Sequence, residues 1–378
     1  MPNHSIYIHI PFCKSKCHYC GFYSIPSADS NTVSRYINAL CSEITNANIR
    51  PNTIIDTIFF GGGTPTFLHT NALSKIMDCI HRHFAISDDA EISIEANPAT
   101  NIGANNIDFA ELRNIGFNRI SIGVQSFNDN ELEWLGRLHN SQIAIETIQQ
   151  AKQHFASVSI DLIYAVPEQS IASLRHSLAL ALQLEVQHIS AYSLSYDTGT
   201  LLSAKLGSDE ITAVDSDTDA DMYALVCETL ATAGYQHYEV SNYAKQNFEC
   251  RHNLNYWLRN NYYGFGAAAH SCIDNVRYEN THDLQAYCKC MENGESAVIN
   301  SEVLSSEQVY EEQIFLGLRS VGVPLSLLAE EQLQVVEMCI GSGYGVIDCG
   351  EFVLTDKGRI ITDEIVLKLL DASALLRI

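Results

Sequence analysis

The sequence predicts an α/β fold: a partial barrel of six parallel strand–helix units, (β/α)6, followed by a small C-terminal module of helical, winged-helix-like character. Three observations carry that expectation. Six short apolar segments rich in β-branched residues recur through the first half of the chain, amphipathic stretches of helical length separate them, and glycine or polar residues cluster at their C-terminal ends. Apolar strands alternating with helices specify a parallel sheet covered by helices. Six such units in roughly 200 residues point to an open or incomplete barrel of the TIM type.

The strand segments are, in order, SIYIHI, DTIFFGGG, AEISIEANP, NRISIGVQSF, VSIDLIYAVP and QHISAYSLS. They read as near-continuous apolar runs, which suits a sheet buried on both faces. The helical stretches between them fall at 31–48, 70–84, 105–115, 141–155 and 170–184. Cys13 lies just beyond the first strand, Gly61, Gly62, Gly63, Thr64 and Pro65 close the second, and Glu95, Ala96, Asn97 and Pro98 close the third. Gln125 follows the fourth, Asp161 lies within the fifth, and Ser195 and Tyr196 follow the sixth. In a parallel barrel these ends converge on one face, so they predict one composite site.

The pattern changes near residue 205, which divides the chain into a barrel (1–205), an extension (206–296) and a C-terminal module (297–378). The acidic stretch GSDEITAVDSDTDADMYA is expected to start a long helix running to Leu230, and a loop region holding CRHNLNYWLRNNYYGFGAAAHS follows. The module shows helices at 305–319 and 326–341, a two-stranded piece, YGVIDCGEFVLTDKGR, and a last helix.

Composition narrows the function. No apolar run approaches the roughly 20 residues of a membrane span, and MPNHSIYIHIPFCK lacks the basic region and cleavage site of a secretory signal. A cytoplasmic location is the expectation. Forty-five acidic against 22 basic residues give a net charge of −23, which speaks against a nucleic-acid ligand whose phosphates need cationic partners. In a reducing compartment the 12 cysteines are thiols or metal ligands rather than disulfides. Cys41, Cys79, Cys227, Cys272, Cys339 and Cys349 read as buried small hydrophobes, and Cys288 and Cys290 form an isolated C-x-C.

Cys13, Cys17 and Cys20 cluster as C-x3-C-x2-C, with Phe22 two places on. Three thiolates leave a metal centre one ligand short. Structural zinc would take a fourth ligand, for which His9 and His18 are candidates. A [4Fe–4S] cluster held by three cysteines instead keeps one iron open to a substrate or cofactor. The glycine run after the second strand allows close backbone approach and leaves amide N–H groups exposed. It is no Walker phosphate loop, since no lysine follows.

The cysteine motif at the end of a first barrel strand, together with FFGGGTP after the second, resembles the radical S-adenosylmethionine (SAM) superfamily. That resemblance implies that the open iron chelates SAM and that one electron cleaves it to a 5′-deoxyadenosyl radical. YIHIPFCKSKCHYCGF, IEANP, RISIGVQSFN, LGRLHN, DLIYAVPEQS and HISAYSL extend the likeness to oxygen-independent coproporphyrinogen III dehydrogenase and its relatives. Carried over by position, Tyr7 and Tyr19 flank the cluster and SAM, Gly62, Gly63, Thr64 and Glu95 bind a first SAM, and Gln125, Arg137 and Asp161 match the positions of a second. Two departures separate the chain from the dehydrogenase. Phe22 replaces its fourth cysteine, and the cluster motif begins within a dozen residues of Met1, where the dehydrogenase carries an extension.

Both features are similar to the HemW type of heme chaperone. The same family carries H-N-x-x-Y, matched here by His252, Asn253 and Tyr256, as a heme-holding motif. Imidazole is a natural axial ligand of heme iron, with Cys250 as a rival and Tyr262, Tyr263 and Phe265 as aromatic neighbours for a macrocycle; His270 reads as structural. The resemblance therefore implies a [4Fe–4S] cluster, SAM and heme as cofactors, and heme-receiving respiratory proteins, at the membrane where they reside, as partners. Radical coproporphyrinogen III decarboxylation and a structural zinc protein are the alternatives.

Overall fold

Alternation along the strands decides what each face of the sheet does. In β1 (His4–Ile10), Ile6, Ile8 and Ile10 are fully buried, while Ser5, Tyr7 and His9 turn to the opposite face. The same rhythm recurs in β2 (Ile54–Gly62), β3 (Ala85–Ala96), β4 (Arg119–Gln125), β5 (Ser157–Tyr164) and β6 (His188–Ser193). Ile58, Phe60, Ile92, Ile94, Ile120, Ile122, Val158, Ile160 and Ile189 form the apolar side. The strands are therefore not apolar throughout, as the sequence had suggested: only the helix-covered face is, because the inner face lines a polar interior.

The computed structural model describes residues 4–50, 52–101 and 106–374. The six strands pair in parallel in chain order, β1 to β6. Their crossovers are α1 (Ser30–Asn46), α2 (Thr70–His83), α3 (Phe109–Ile115), the short α4 (Asp129–Trp134), α5 (Ser141–Lys152) and α6 (Ile171–Gln183). Side chains of Asp29, Asp108, Asn140 and Ser170 accept the first free amides of α1, α3, α5 and α6, which fixes where those helices begin. Asp108 starts α3 later than the expected residue 105, which lies outside the described residues.

Beyond the six strands come α7 (Leu201–Gly207) and α8 (Ser216–Thr232). Asp215 caps α8 by accepting the Thr218 amide, so the helix opens halfway along the acidic stretch rather than with it. The expected loop region is instead ordered. Antiparallel β7 (Gln236–Glu239) and β8 (Asn242–Ala244) extend the sheet beyond β6. After α9 (Arg251–Trp257), β9 (Asn261–Phe265) pairs in parallel with β1. Antiparallel β10 (His270–Ile273), β11 (Val276–Asn280) and, after α10 (Leu284–Asn293), β12 (Val298–Val303) complete a 12-stranded sheet. Among the described residues no pairing joins its two edges, so the barrel is open. These later strands are short, and β12 is exposed along its whole length, so hydrophobic periodicity gives them little signal.

A second apolar core, around Ile314, Leu318, Val336, Phe352 and Leu369, holds the C-terminal segment together. It packs α11 (Ser306–Gly317), α12 (Glu330–Gly341), α13 (Asp356–Arg359) and α14 (Thr362–Ala374) around a three-stranded sheet of β13 (Val323–Pro324), β14 (Gly345–Asp348) and β15 (Glu351–Leu354). Two cysteines depart from expectation: Cys272 is half-buried and Cys349 exposed, because each sits on or beside a short surface strand. No described helix is long and apolar enough to cross a membrane.

Candidate functional site

The cysteine loop is held by the glycine run beneath it. The amides of Gly63 and Thr64 donate to the Ile10 and Phe12 carbonyls, each at 2.8 Å, and the Gly62 amide donates to Glu95 Oε2 at 3.2 Å. The amides expected to face a ligand are thus engaged inside the protein, tying β2 to the loop and to β3. A Cβ on Gly63 would meet Phe12 O at 2.8 Å and Ile10 O at 2.9 Å, both backbone, and Gly62 adopts φ +108°. Gly63→Ala should therefore push the cysteine loop away, costing about 1–3 kcal/mol of stability together with most of the retained iron. Thermal melts and iron analysis check this.

Each thiol has a donor. Cys13 Sγ lies 3.5 Å from Thr64 Oγ1, Arg137 Nη1 donates to Cys17 Sγ at 3.2 Å, and the Phe22 amide donates to the Cys20 thiol. Burial pushes the Cys13 and Cys20 thiols up, with Thr64 and Phe22 opposing it. Neutral thiols in such surroundings become thiolates when a cation takes the proton's place.

The spacing discriminates between metals. Tetrahedral zinc brings its thiolates to about 3.8 Å from one another. Among the described residues, the groups of three or more ligand atoms within 4.8 Å of one another are Cys227–His237–Asp356 and His270–Glu279–His282; the three N-terminal thiols are not such a group. Nor does a histidine complete them. Both ring nitrogens of His9 are engaged, by Tyr7 Oη at 3.1 Å and Tyr23 O at 3.0 Å, and His18, whose Nδ1 pairs with Trp134 O at 2.9 Å, belongs to neither of those groups. Wider spacing, N–H donors and an adjoining cavity fit a multi-iron cluster with one open corner.

That cavity, about 590 Å³, opens at the C-terminal strand ends. It gathers Cys13, Cys17, Cys20, Tyr19, Gly62, Gly63, Thr64, Glu95, Gln125, Arg137 and Asp161 from loops and strands far apart in sequence. Burial, then the neighbouring Asp161, raises the Glu95 carboxyl to about 8. Burial raises Asp161 as well, opposed by hydrogen bonds from Ser190 and Ser121 and by Arg119 and Arg137. Arg137 is half-buried, also donates to Gly123 O, and leaves its buried Nε without a partner. Gln125 holds φ +71° where β4 and β5 slip register, a strained conformation at a ligand-lining position. Tyr7 is the exception among the sequence candidates. It lies one layer below, with its ring stacked on Phe59 at 6.4 Å and hydrogen-bonded to His9, because strand alternation puts it beneath Gly61. Asn97, from the same strand end as Glu95, lines the cavity too, as do Ser121 and Tyr192, which the sequence does not single out. The inward register shared with Asp161 would have found Ser121 and Tyr192.

A family model described as the Radical SAM superfamily matches residues 7–181. The heme chaperone HemW of Bacillus subtilis is 38% identical over 334 residues, covering 86% of each chain. That of Mycobacterium tuberculosis is 34% identical over 370 residues, covering 97% of this chain and 94% of the relative. The chain belongs to the HemW family of radical SAM proteins. Membership implies a [4Fe–4S] cluster and SAM. The fold also matches coproporphyrinogen III oxidase (HemN) from Escherichia coli, a radical SAM enzyme, with a TM-score of 0.83 over 97% of this chain and 90% of that one at 24% identity.

In this HemW-family chain the H-N-x-x-Y residues lie on α9, beside the N-terminal halves of β1 and β2 and so at the opposite end of the barrel interior from the cysteines. Glu91 accepts the Arg251 and His252 amides at 3.0 and 3.1 Å and the Cys250 thiol at 3.5 Å, capping the helix. Cys250 is thereby engaged and fully buried. His252 Nδ1 pairs with Thr57 Oγ1 at 2.8 Å and Nε2 with Tyr256 Oη at 3.0 Å, and its ring stacks on Phe59 at 5.1 Å. It is 1% exposed, and burial, with Arg119 adding to it, drives its pKa down to about 3. Asn253 is half-buried beside it. Of the aromatics expected near a macrocycle, only Tyr262 stands with the motif, edge-on to Tyr256 at 4.8 Å. Tyr263 and Phe265 alternate to the other face and pack on Phe84. His270 is exposed.

Proposed function

We propose that this chain is a heme chaperone of the HemW type. In this reading Cys13, Cys17 and Cys20 hold a [4Fe–4S] cluster, the adjoining cavity takes SAM, the His252 region takes heme, and heme passes to respiratory proteins. The observation that carries the reading is likeness along nearly the whole chain to relatives named as heme chaperones. When bound, the cluster supplies the electron that cleaves the sulfonium C–S bond of SAM.

The chain's own residues prepare both ligands. Glu95 and Asp161 offer carboxylates to a cationic cofactor, and Arg137 offsets the charge of the Cys17 thiolate. Phe22, where the dehydrogenase has a cysteine, turns to solvent with 69% of its surface exposed, adding no ligand to the site. His252 is kept neutral, the form that ligates iron. In the described arrangement both its ring nitrogens are paired, so heme ligation requires α9 to release Thr57 or Tyr256.

Anaerobic incubation with coproporphyrinogen III, SAM and reductant separates chaperone from dehydrogenase. The chaperone reading expects no protoporphyrinogen above a protein-free control, alongside a one-to-one complex with added heme. Sustained decarboxylation would replace it with the dehydrogenase reading.

A further inference from the structure

Away from the cavity, three side chains with metal-ligating atoms converge where the C-terminal module meets the edge of the sheet. Cys227 comes from α8, His237 from edge strand β7 and Asp356 from the first turn of α13. Their ligand atoms all lie within 4.8 Å of one another. His237 Nδ1 is 2.6 Å from Asp356 Oδ1, and the imidazole stacks on Tyr243 at 4.2 Å with its plane tilted by 16°. Tyr243 Oη lies 3.2 Å from Cys227 Sγ. Tyr223 Oη is buried beside the same thiol without a well-aligned partner.

We propose that Cys227, His237 and Asp356 form a binding site for one divalent transition-metal ion of the zinc class, clamping the C-terminal module to the barrel edge. Thiolate, imidazole and carboxylate are the donor set that zinc prefers; tetrahedral bonds of about 2.0–2.3 Å need the 2.6 Å His237–Asp356 pair to open by under an ångström and the thiol, within 4.8 Å of both, to close by an ångström or so. Tyr223 Oη or a water supplies the fourth corner. A thiol ligates zinc as the thiolate, so binding releases the Cys227 proton, while His237 Nε2, 3.3 Å from Val240 O, keeps the ring N–H and leaves Nδ1 to the ion. Thiolate and carboxylate then balance the ion's two charges. Arg359 is the nearest opposing cation; it is held by the His237 and Glu239 carbonyls at 2.9 and 3.3 Å. None of the three ligands touches the SAM cavity, so the site is independent of the heme reading. The clamp is spatial: 119 residues separate His237 from Asp356, and each of the three ligands lies in a different element.

The test is a Co2+ titration, under argon, of the full chain with its cluster reconstituted. A second full chain carrying Cys13→Ser, Cys17→Ser and Cys20→Ser removes the cluster's own absorption. Both should take up one equivalent with a thiolate-to-cobalt charge-transfer band and tetrahedral visible bands, and Zn2+ should bleach them. Cys227→Ser should abolish the charge-transfer band. Asp356→Asn, at a half-exposed side chain that can keep its hydrogen bond to His237, should weaken Co2+ at least tenfold in a chain whose circular dichroism is unchanged. The proposal is overturned if no band appears at one equivalent, if the band survives Cys227→Ser, or if Asp356→Asn binds Co2+ as wild type does.

Discussion

Cys17→Ser is expected to give a folded but colourless protein. The wild type, reconstituted under argon, should carry about four irons and the brown, broad absorption of a cubane cluster. The variant should retain less than about a tenth of that iron, since two cysteines from one short loop cannot hold the cluster against chelation. Little of the fold depends on the Cys17 side chain. It is half-buried, and its hydrogen bond is the one from Arg137, which also reaches Gly123. The melting free energy of the metal-free variant should therefore stay within about 1 kcal/mol of metal-free wild type. Iron and sulfide analysis with thermal melts checks both halves. A colourless wild type holding one zinc would contradict the reading of the thiol spacing.

Glu95→Gln should stabilise the ligand-free protein and weaken SAM binding at the same time. The Glu95 carboxyl is raised in the fold to about 8, first by burial and then by Asp161. A folded-state pKa above the unfolded value means that the favourable contribution is fully present below about 4.5 and is lost as pH rises through about 8. Near pH 8 a buried, ionised Glu95 beside Asp161 thus costs the ligand-free chain on the order of a few kcal/mol. Glutamine stays neutral, so the variant should lose this slope between pH 5 and 8 and melt higher than wild type at pH 8. The same carboxylate is the group offered to a cationic ligand. Its loss should weaken SAM about 10- to 100-fold, the worth of one charge-assisted hydrogen bond. Melting curves across pH and equilibrium SAM binding to the cluster-loaded chain measure the two effects. Equal SAM affinity in the variant would remove Glu95 from the binding set.

Much of this site can be read from sequence because a parallel barrel places its chemistry at strand ends. Gly62, Gly63, Thr64, Glu95 and Gln125 each follow or end an apolar run, Asp161 interrupts one, and all reach one cavity. Tyr7 shows where that logic stops. It belongs to the strand that leads into the cysteine motif but points into the layer beneath, a fact set by side-chain alternation and not by proximity in sequence. The region after residue 205 was less legible because its strands are short, partly exposed and antiparallel at the sheet edges, so neither a period of two nor one of 3.6 dominates. The motif draws attention to His252, yet its engagement with Thr57 and the capping of its helix by Glu91 depend on residues about 160 to 195 positions away in the chain, and only Tyr256 is a local partner. Cys227 is buried, as its sequence context suggests, but its neighbours Tyr243, His237 and Asp356 come from other elements and leave no local signal.

The most direct measurement is heme titration of the cluster-loaded wild type and of His252→Ala, followed by the Soret band under argon. The chaperone account predicts a saturable one-to-one complex for the wild type and at least a tenfold loss of affinity, with a shifted band, for the variant. An identical band and affinity in His252→Ala would contradict heme ligation by His252, and no saturable Soret change in the wild type would contradict heme binding itself.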